Sequence, residues 1–343
     1  MKISNAFNLL AVAALFILGA CGNETENTEA VKKDSVAVSA KTPAALQLLN
    51  EKLEKDPSDA PTYNERAKYF IETRDLKAAL SDITKAMNID SSKSDYFVTI
   101  SDVYFLTNQT GNSKLALEKA ITLDPKNTTA ILKLAELYLY VGKNDKSIEY
   151  INMALKIDQY IAKAYFMKGM NYKDLKDTAR AMSSMQTAVE QEKNYYQAYI
   201  QLGILAAGKY DPLAIQYYKN AIRIQPKSTE AWYDLGKYYQ DAGDAANAIA
   251  TYKTLLTFEK NKNAAYNIGV VYLVNLKKYD LAIDYFSQAI NTDPNYFEAY
   301  YGRGVSYQYK SDKKTAAADF QSALMINPKY EPAQTALQEM GVK

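Results

Sequence analysis

Apolar and polar positions follow a helical period along most of this chain, and the helices come in matched pairs. Between residues 229 and 261, Trp232, Leu235, Gly236 and Tyr239 fall at i, i+3, i+4 and i+7, on one helical face. After Gly243-Asp244, Ala248, Tyr252 and Leu255 repeat that spacing. Pro57, Pro125, Pro226, Pro294 and Pro328 close second helices. Proline cannot continue a helix and disfavours helical backbone in the residue before it.

The pairs recur. One small-residue column runs Ala67, Ser101, Ala135, Gly169, Gly203, Gly236, Gly269, Gly304, in steps of 34 with excursions to 33 and 35. A second runs Ala86, Ala120, Ala154, Ala188, Ala221, Leu255, Ala289, Ala323; a third, Ala79, Ser113, Ser147, Ala181, Ala214, Ala248, Ala282, Ala316. An aromatic column runs Phe70, Tyr104, Tyr138, Tyr172, Ala206, Tyr239, Tyr272, Tyr307. Small residues let paired helices approach closely, and the aromatic column fills the wedge between neighbouring pairs. No pair can bury its apolar face alone, so the pairs must stack.

This pattern resembles the tetratricopeptide repeat (TPR); Ala231-Trp232-Tyr233-Asp234-Leu235-Gly236 and Ala299-Tyr300-Tyr301-Gly302-Arg303-Gly304 are close matches. The resemblance implies an all-α solenoid, a right-handed superhelix of eight helix-turn-helix repeats at 60–93, 94–127, 128–161, 162–195, 196–228, 229–261, 262–296 and 297–330. Residues 43–59 read as an N-terminal capping helix and 331–343 as a C-terminal one, in which Ala333, Ala336, Leu337 and Met340 share a face. Three departures concern loops: Ala206 with the short Gly208–Pro212 turn, a sixth repeat ending Phe258-Glu259-Lys260 without proline, and Gly111 late in its turn.

The family uses the first helices of its repeats to line a concave groove. Its fifth positions fall here on Asn64, Val98, Leu132, Phe166, Ile200, Tyr233, Tyr266 and Tyr301. Its ninth positions fall on Lys68, Asp102, Glu136, Met170, Ile204, Lys237, Val270 and Val305. The resemblance thus implies a binding groove of Leu132, Phe166, Met170, Ile200, Ile204, Tyr233, Tyr266, Val270 and Tyr301. A fifth-position aromatic has two possible uses: docking a partner's helix or extended segment, or packing within its own repeat. The family's carboxylate clamp takes Lys at position five and Asn at position nine of the first repeat. Asn64 and Lys68 stand in the reverse order, which argues against it.

The N-terminus carries a different signal. Lys2 precedes an unbroken apolar run, Leu9–Leu18, of signal-peptide length and too short to span a bilayer. Leu18-Gly19-Ala20-Cys21 then resembles the lipobox of bacterial lipoproteins and uses the only cysteine. The resemblance implies a signal peptide over 1–20, a Cys21 that becomes the lipidated amino terminus, and firm membrane attachment. Gly22 in place of Asp points to outer-membrane sorting. Residues 22–42 are small and polar, a tether with a reach of roughly 25 Å. Whether the body faces the periplasm or the medium is open.

Composition narrows the chemistry. Lys and Arg number 41 against 39 acids, a net charge of +2, so there is no basic footprint for nucleic acid. The absence of His removes the commonest general base and metal ligand, and a single Cys cannot form a thiolate metal site. No cofactor and no metal are expected. Acid pairs such as Asp174 and Asp177 fall at expected turns, no phosphate loop or nucleophile motif occurs, and no catalysis is expected. Thirty Tyr against 10 Phe and one Trp indicate much half-buried surface. These features describe a membrane-anchored scaffold whose partners are other envelope proteins. The alternatives are a periplasmic chaperone or a binder of peptide or glycan.

Overall fold

The computed structural model describes residues 44–341, all α-helical apart from turns and one π-helical segment. Cys21, the signal peptide and the tether lie outside the described residues. The chain divides into two units, at Gln159 and Tyr160.

In the first unit, α1 (Ala44–Lys55) precedes three pairs: α2 (Ala60–Glu72) with α3 (Leu76–Ile89), α4 (Ser94–Leu106) with α5 (Thr110–Leu123), and α6 (Thr128–Tyr140) with α7 (Asn144–Ile157). The second unit holds five pairs and a last helix. These are α8 (Ala162–Asp174) with α9 (Thr178–Gln191), α10 (Tyr196–Ala207) with α11 (Leu213–Ile224), α12 (Thr229–Asp241) with α13 (Ala245–Leu256), α14 (Lys262–Val270) with α15 (Tyr279–Thr292), and α16 (Phe297–Tyr309) with α17 (Lys313–Ile326), followed by α18 (Glu331–Glu339). Within each unit a first helix packs on its own partner and on the second helix before it.

Local chemistry sets these boundaries. Asp59, Asp75, Asn127, Asp177, Ser228, Asp244, Asn261 and Asp312 accept a backbone N–H of the first helical turn. Each turn inside a pair reverses through one residue at positive φ: Arg74, Asn108, Gly142, Lys176, Tyr210, Gly243, Lys277 and Ser311. Only two of the eight are glycine, although the left-handed region favours it. The 35-residue repeat accommodates its extra residue in a π-helical turn, Val271–Asn275, ending the first helix without breaking it.

Each unit also contains a buried bidentate ion pair at the same step of a repeat. Arg66 donates to Asp82 at 2.5 and 2.8 Å and to Asn50 Oδ1 of α1 at 2.7 Å. Arg303 donates to Asp319 at 2.8 Å twice and to Ser287 Oγ at 3.0 Å. The aspartates are buried and fully engaged, the arrangement in which a buried carboxylate is tolerated.

Candidate functional site: the first-helix face of the second unit

The fifth and ninth positions do not form one continuous apolar lining. In the first unit Leu132 on α6 is buried, 6% exposed. In the second unit Phe166 and Met170 on α8 and Ile200 on α10 are buried as well. The side chains of these four lie between adjacent helices, so little of each is open for contact. Ile204, one turn beyond Ile200, is 37% exposed, and Tyr233, Tyr266, Val270 and Tyr301 are half-buried. Length alone does not sort them: the Phe166 ring is buried, whereas the shorter Val270 is half-buried.

Neighbouring rings hold these tyrosines. Tyr233 lies 5.8 Å from Tyr252, Tyr266 lies 5.5 Å from Phe286, and Tyr301 lies 5.6 Å from Phe320, all between ring centroids. Each is thus backed by a large ring from the second helix of its own repeat. Rings at the ends of repeats add a further contact: Phe166 with Tyr195 at 5.1 Å, Tyr266 with Tyr296 at 5.2 Å, and Tyr301 with Tyr330 edge-on at 5.4 Å. Packing within the repeat therefore accounts for one side of each ring and leaves part of the other accessible.

Hydroxyls and carboxylates lie beneath and beside these rings. Asn267 donates to the hydroxyls of Tyr252 at 3.0 Å and Tyr233 at 3.2 Å, and Tyr252 donates to Gln240 at 3.1 Å. The Tyr196 hydroxyl lies 2.5 Å from Ser228 Oγ and donates to Glu230 at 3.2 Å. One turn on from Glu230, burial pushes Asp234 up to about 6, and the Glu230 charge adds to the shift. Burial also raises Tyr196 and Tyr330 to about 12.

The face ends in a cavity of about 580 Å³ between α16 and α18. Tyr301, Val305 and Tyr309 line one side, and Glu331, Pro332 and Glu339 the other. Reading α18 only as a cap missed this wall. The signal was present: Thr335 and Glu339 stand one repeat beyond Tyr301 and Val305, so α18 presents the fifth and ninth positions of a further first helix.

Comparison with known proteins agrees with this geometry. Two family models, both described as tetratricopeptide repeat, match residues 205–268, 233–296 and 270–331, and residues 94–127 and 162–195. Together they cover more than half of the chain, which belongs to the tetratricopeptide repeat family. Among solved structures, the C-terminal part of a TPR repeat-containing protein from Cytophaga hutchinsonii superposes with a TM-score of 0.61 at 19% identity, over 69% of this chain and 98% of that one. That likeness shows the fold. Among curated proteins, the general transcriptional corepressor ssn6 of Schizosaccharomyces pombe is 30% identical over 124 residues, 35% of this chain and 11% of that protein. BBSome complex member BBS4 of Bos taurus is 21% identical over 308 residues, 86% of this chain and 59% of that protein. The chain thus spans less than two thirds of either relative. Tetratricopeptide repeat proteins bind partner proteins and peptides in their groove.

Proposed function

We propose that this protein is a lipid-anchored scaffold of a bacterial envelope, outer-membrane sorted, whose second unit docks segments of partner envelope proteins. The reading rests chiefly on the half-buried Tyr233, Tyr266 and Tyr301, each fixed by a backing ring and each opening onto the first-helix face. Rigid rings with a polar tip lose little entropy on binding and are well suited to anchoring a peptide. The Leu18–Cys21 motif after an apolar run supports the anchor.

Crosslinked membranes expressing the native protein or Ile204→Glu test the docking reading, with captured proteins quantified by mass spectrometry. A carboxylate at this 37%-exposed site should reduce partner capture on the order of tenfold without unfolding α10. Equal capture by both proteins would reject it. For the anchor, Cys21→Ser should move the protein from the membrane fraction to the soluble fraction. Retention at the membrane would reject lipidation.

A further inference from the structure

The cavity between α16 and α18 carries more information than its volume. On α18, Glu331, Thr335 and Glu339 stand at i, i+4 and i+8, on one helical face, and all three line the cavity. No lysine or arginine lines it. Among the described residues neither glutamate forms an ion pair, whereas Asp82, Asp102, Asp293 and Asp319 each have a cation at their side. The facing wall supplies two rings. Tyr301 is held edge-on by Tyr330, and Tyr309 is stacked on Tyr279 with centroids 5.0 Å apart and planes 3° apart. Val305, Pro332 and Ala336 add apolar surface to the lining, beside Thr335 and Gln308. Two unpaired carboxylates, fixed π-faces and apolar surface from Val305, Pro332 and Ala336 are complementary to long side chains with an aliphatic stem and a cationic head.

The spacing restricts the ligand further. Eight residues of helix separate Glu331 from Glu339 by about 12 Å. A single ammonium or guanidinium cannot meet both. An extended chain advances about 3.3 Å per residue and presents every second side chain to the same side, so positions i and i+4 are about 13 Å apart on one face. We propose that this cavity binds an extended partner segment with Lys or Arg at positions i and i+4 and an apolar residue at i+2, the basic heads meeting Glu331 and Glu339. The proposal rests on the docking function above and adds the chemistry of the partner.

The test uses the full chain and fluorescent, end-blocked peptides of sequence Ser-Arg-Ser-Leu-Ser-Arg-Ser, with binding read by anisotropy at several salt concentrations. A peptide with norleucine for both arginines should bind on the order of tenfold more weakly, as should a peptide with the arginines moved to i and i+5. The Glu331→Gln/Glu339→Gln variant should lose the same factor toward the arginine peptide and nothing toward the norleucine peptide, and its binding should become insensitive to salt. Both glutamates are exposed and glutamine is a good helix former, so α18 is retained. Tyr309→Leu gives an independent arm and should weaken the arginine peptide alone. Equal binding of arginine and norleucine peptides, or an unchanged affinity in the Gln variant, overturns the proposal. Ile204→Glu separates the two readings. If it abolishes partner capture while the arginine peptide fails to bind, the cavity assignment falls and the docking function stands; if capture is also unaffected, both fall.

Discussion

In the first unit the column of small residues is Ala67, Ser101 and Ala135, and the buried residues at the matching step of the second helices are Ile83, Leu117 and Ile151. In the second unit the small column is Gly169, Gly203, Gly236, Gly269 and Gly304, facing Met185, Tyr218, Tyr252, Phe286 and Phe320. A methyl group added to any of these glycines would lie 2.5–2.8 Å from the facing side chain. Bulk has moved from the first helix to the second while the volume between the helices is kept, as close-packed interiors require. Ile83 clusters with Tyr96 and Ile100 of the next pair and Leu117 with Leu134 and Leu137, and the rings of the second unit bridge pairs as well. Phe286 touches Gly269 of its own pair and Gly302 of the next, and Tyr252 reaches Asn267. The same rings back Tyr233, Tyr266 and Tyr301, whereas the first unit has Asn64, Val98 and Leu132 at those positions, all buried. The comparison teaches that Gly236, Gly269 and Gly304 and the tyrosine-rich face are one arrangement: without glycine there is no room for the backing ring.

The comparison is most severely tested at Phe286. Phe286→Ala removes a fully buried ring shared by two pairs and should cost about 3–5 kcal/mol, with loss of hydrogen-exchange protection across α14–α16. Loss confined to α15 would show that the ring does not join the pairs. Gly302→Ala should cost about 1–3 kcal/mol by overpacking, since its new Cβ would lie 2.6 Å from the ring. Combined with Phe286→Leu, which restores the aliphatic pattern of the first unit, it should cost less than the sum of the two changes. Additive costs in denaturant unfolding would break the idea of conserved volume.

A smaller effect concerns charge. Asp234 has its carboxyl raised to about 6 by burial. A raised folded-state pKa means that the group's contribution is fully present below the ordinary value near 4 and is lost as pH rises through about 6. Asp234→Asn should therefore stabilise the protein by about 1–2 kcal/mol at pH 7.5, allowing for residual solvation, and by close to nothing at pH 4. A gain independent of pH would mean that the carboxylate is well solvated. Smallest of all, Tyr210→Gly should stabilise by about 0.5–1 kcal/mol by relieving a left-handed backbone at φ 55°. Gly142→Ala in the first unit, at φ 71°, should destabilise to a similar extent.

The 34-residue recurrence determined the helix pairs, their turns and the obligation to stack, because an amphipathic helix pair has no other way to cover its apolar face. It also marked the fifth and ninth positions of the first helices, down to Tyr301. Tertiary structure decided which of them remain accessible. Phe166 and Ile200 read like Tyr233 in a column but lie under 9% exposed, because accessibility depends on how closely the flanking helices approach. Neither the site of the inserted residue in the π-turn at Val271–Asn275 nor the joint use of Phe286 by two pairs follows from a one-dimensional period. The cavity beside Glu339 required both: the period places Glu339 in register with Val305, and only the packing of α18 on α17 sets it opposite α16 as the second wall of an open cavity.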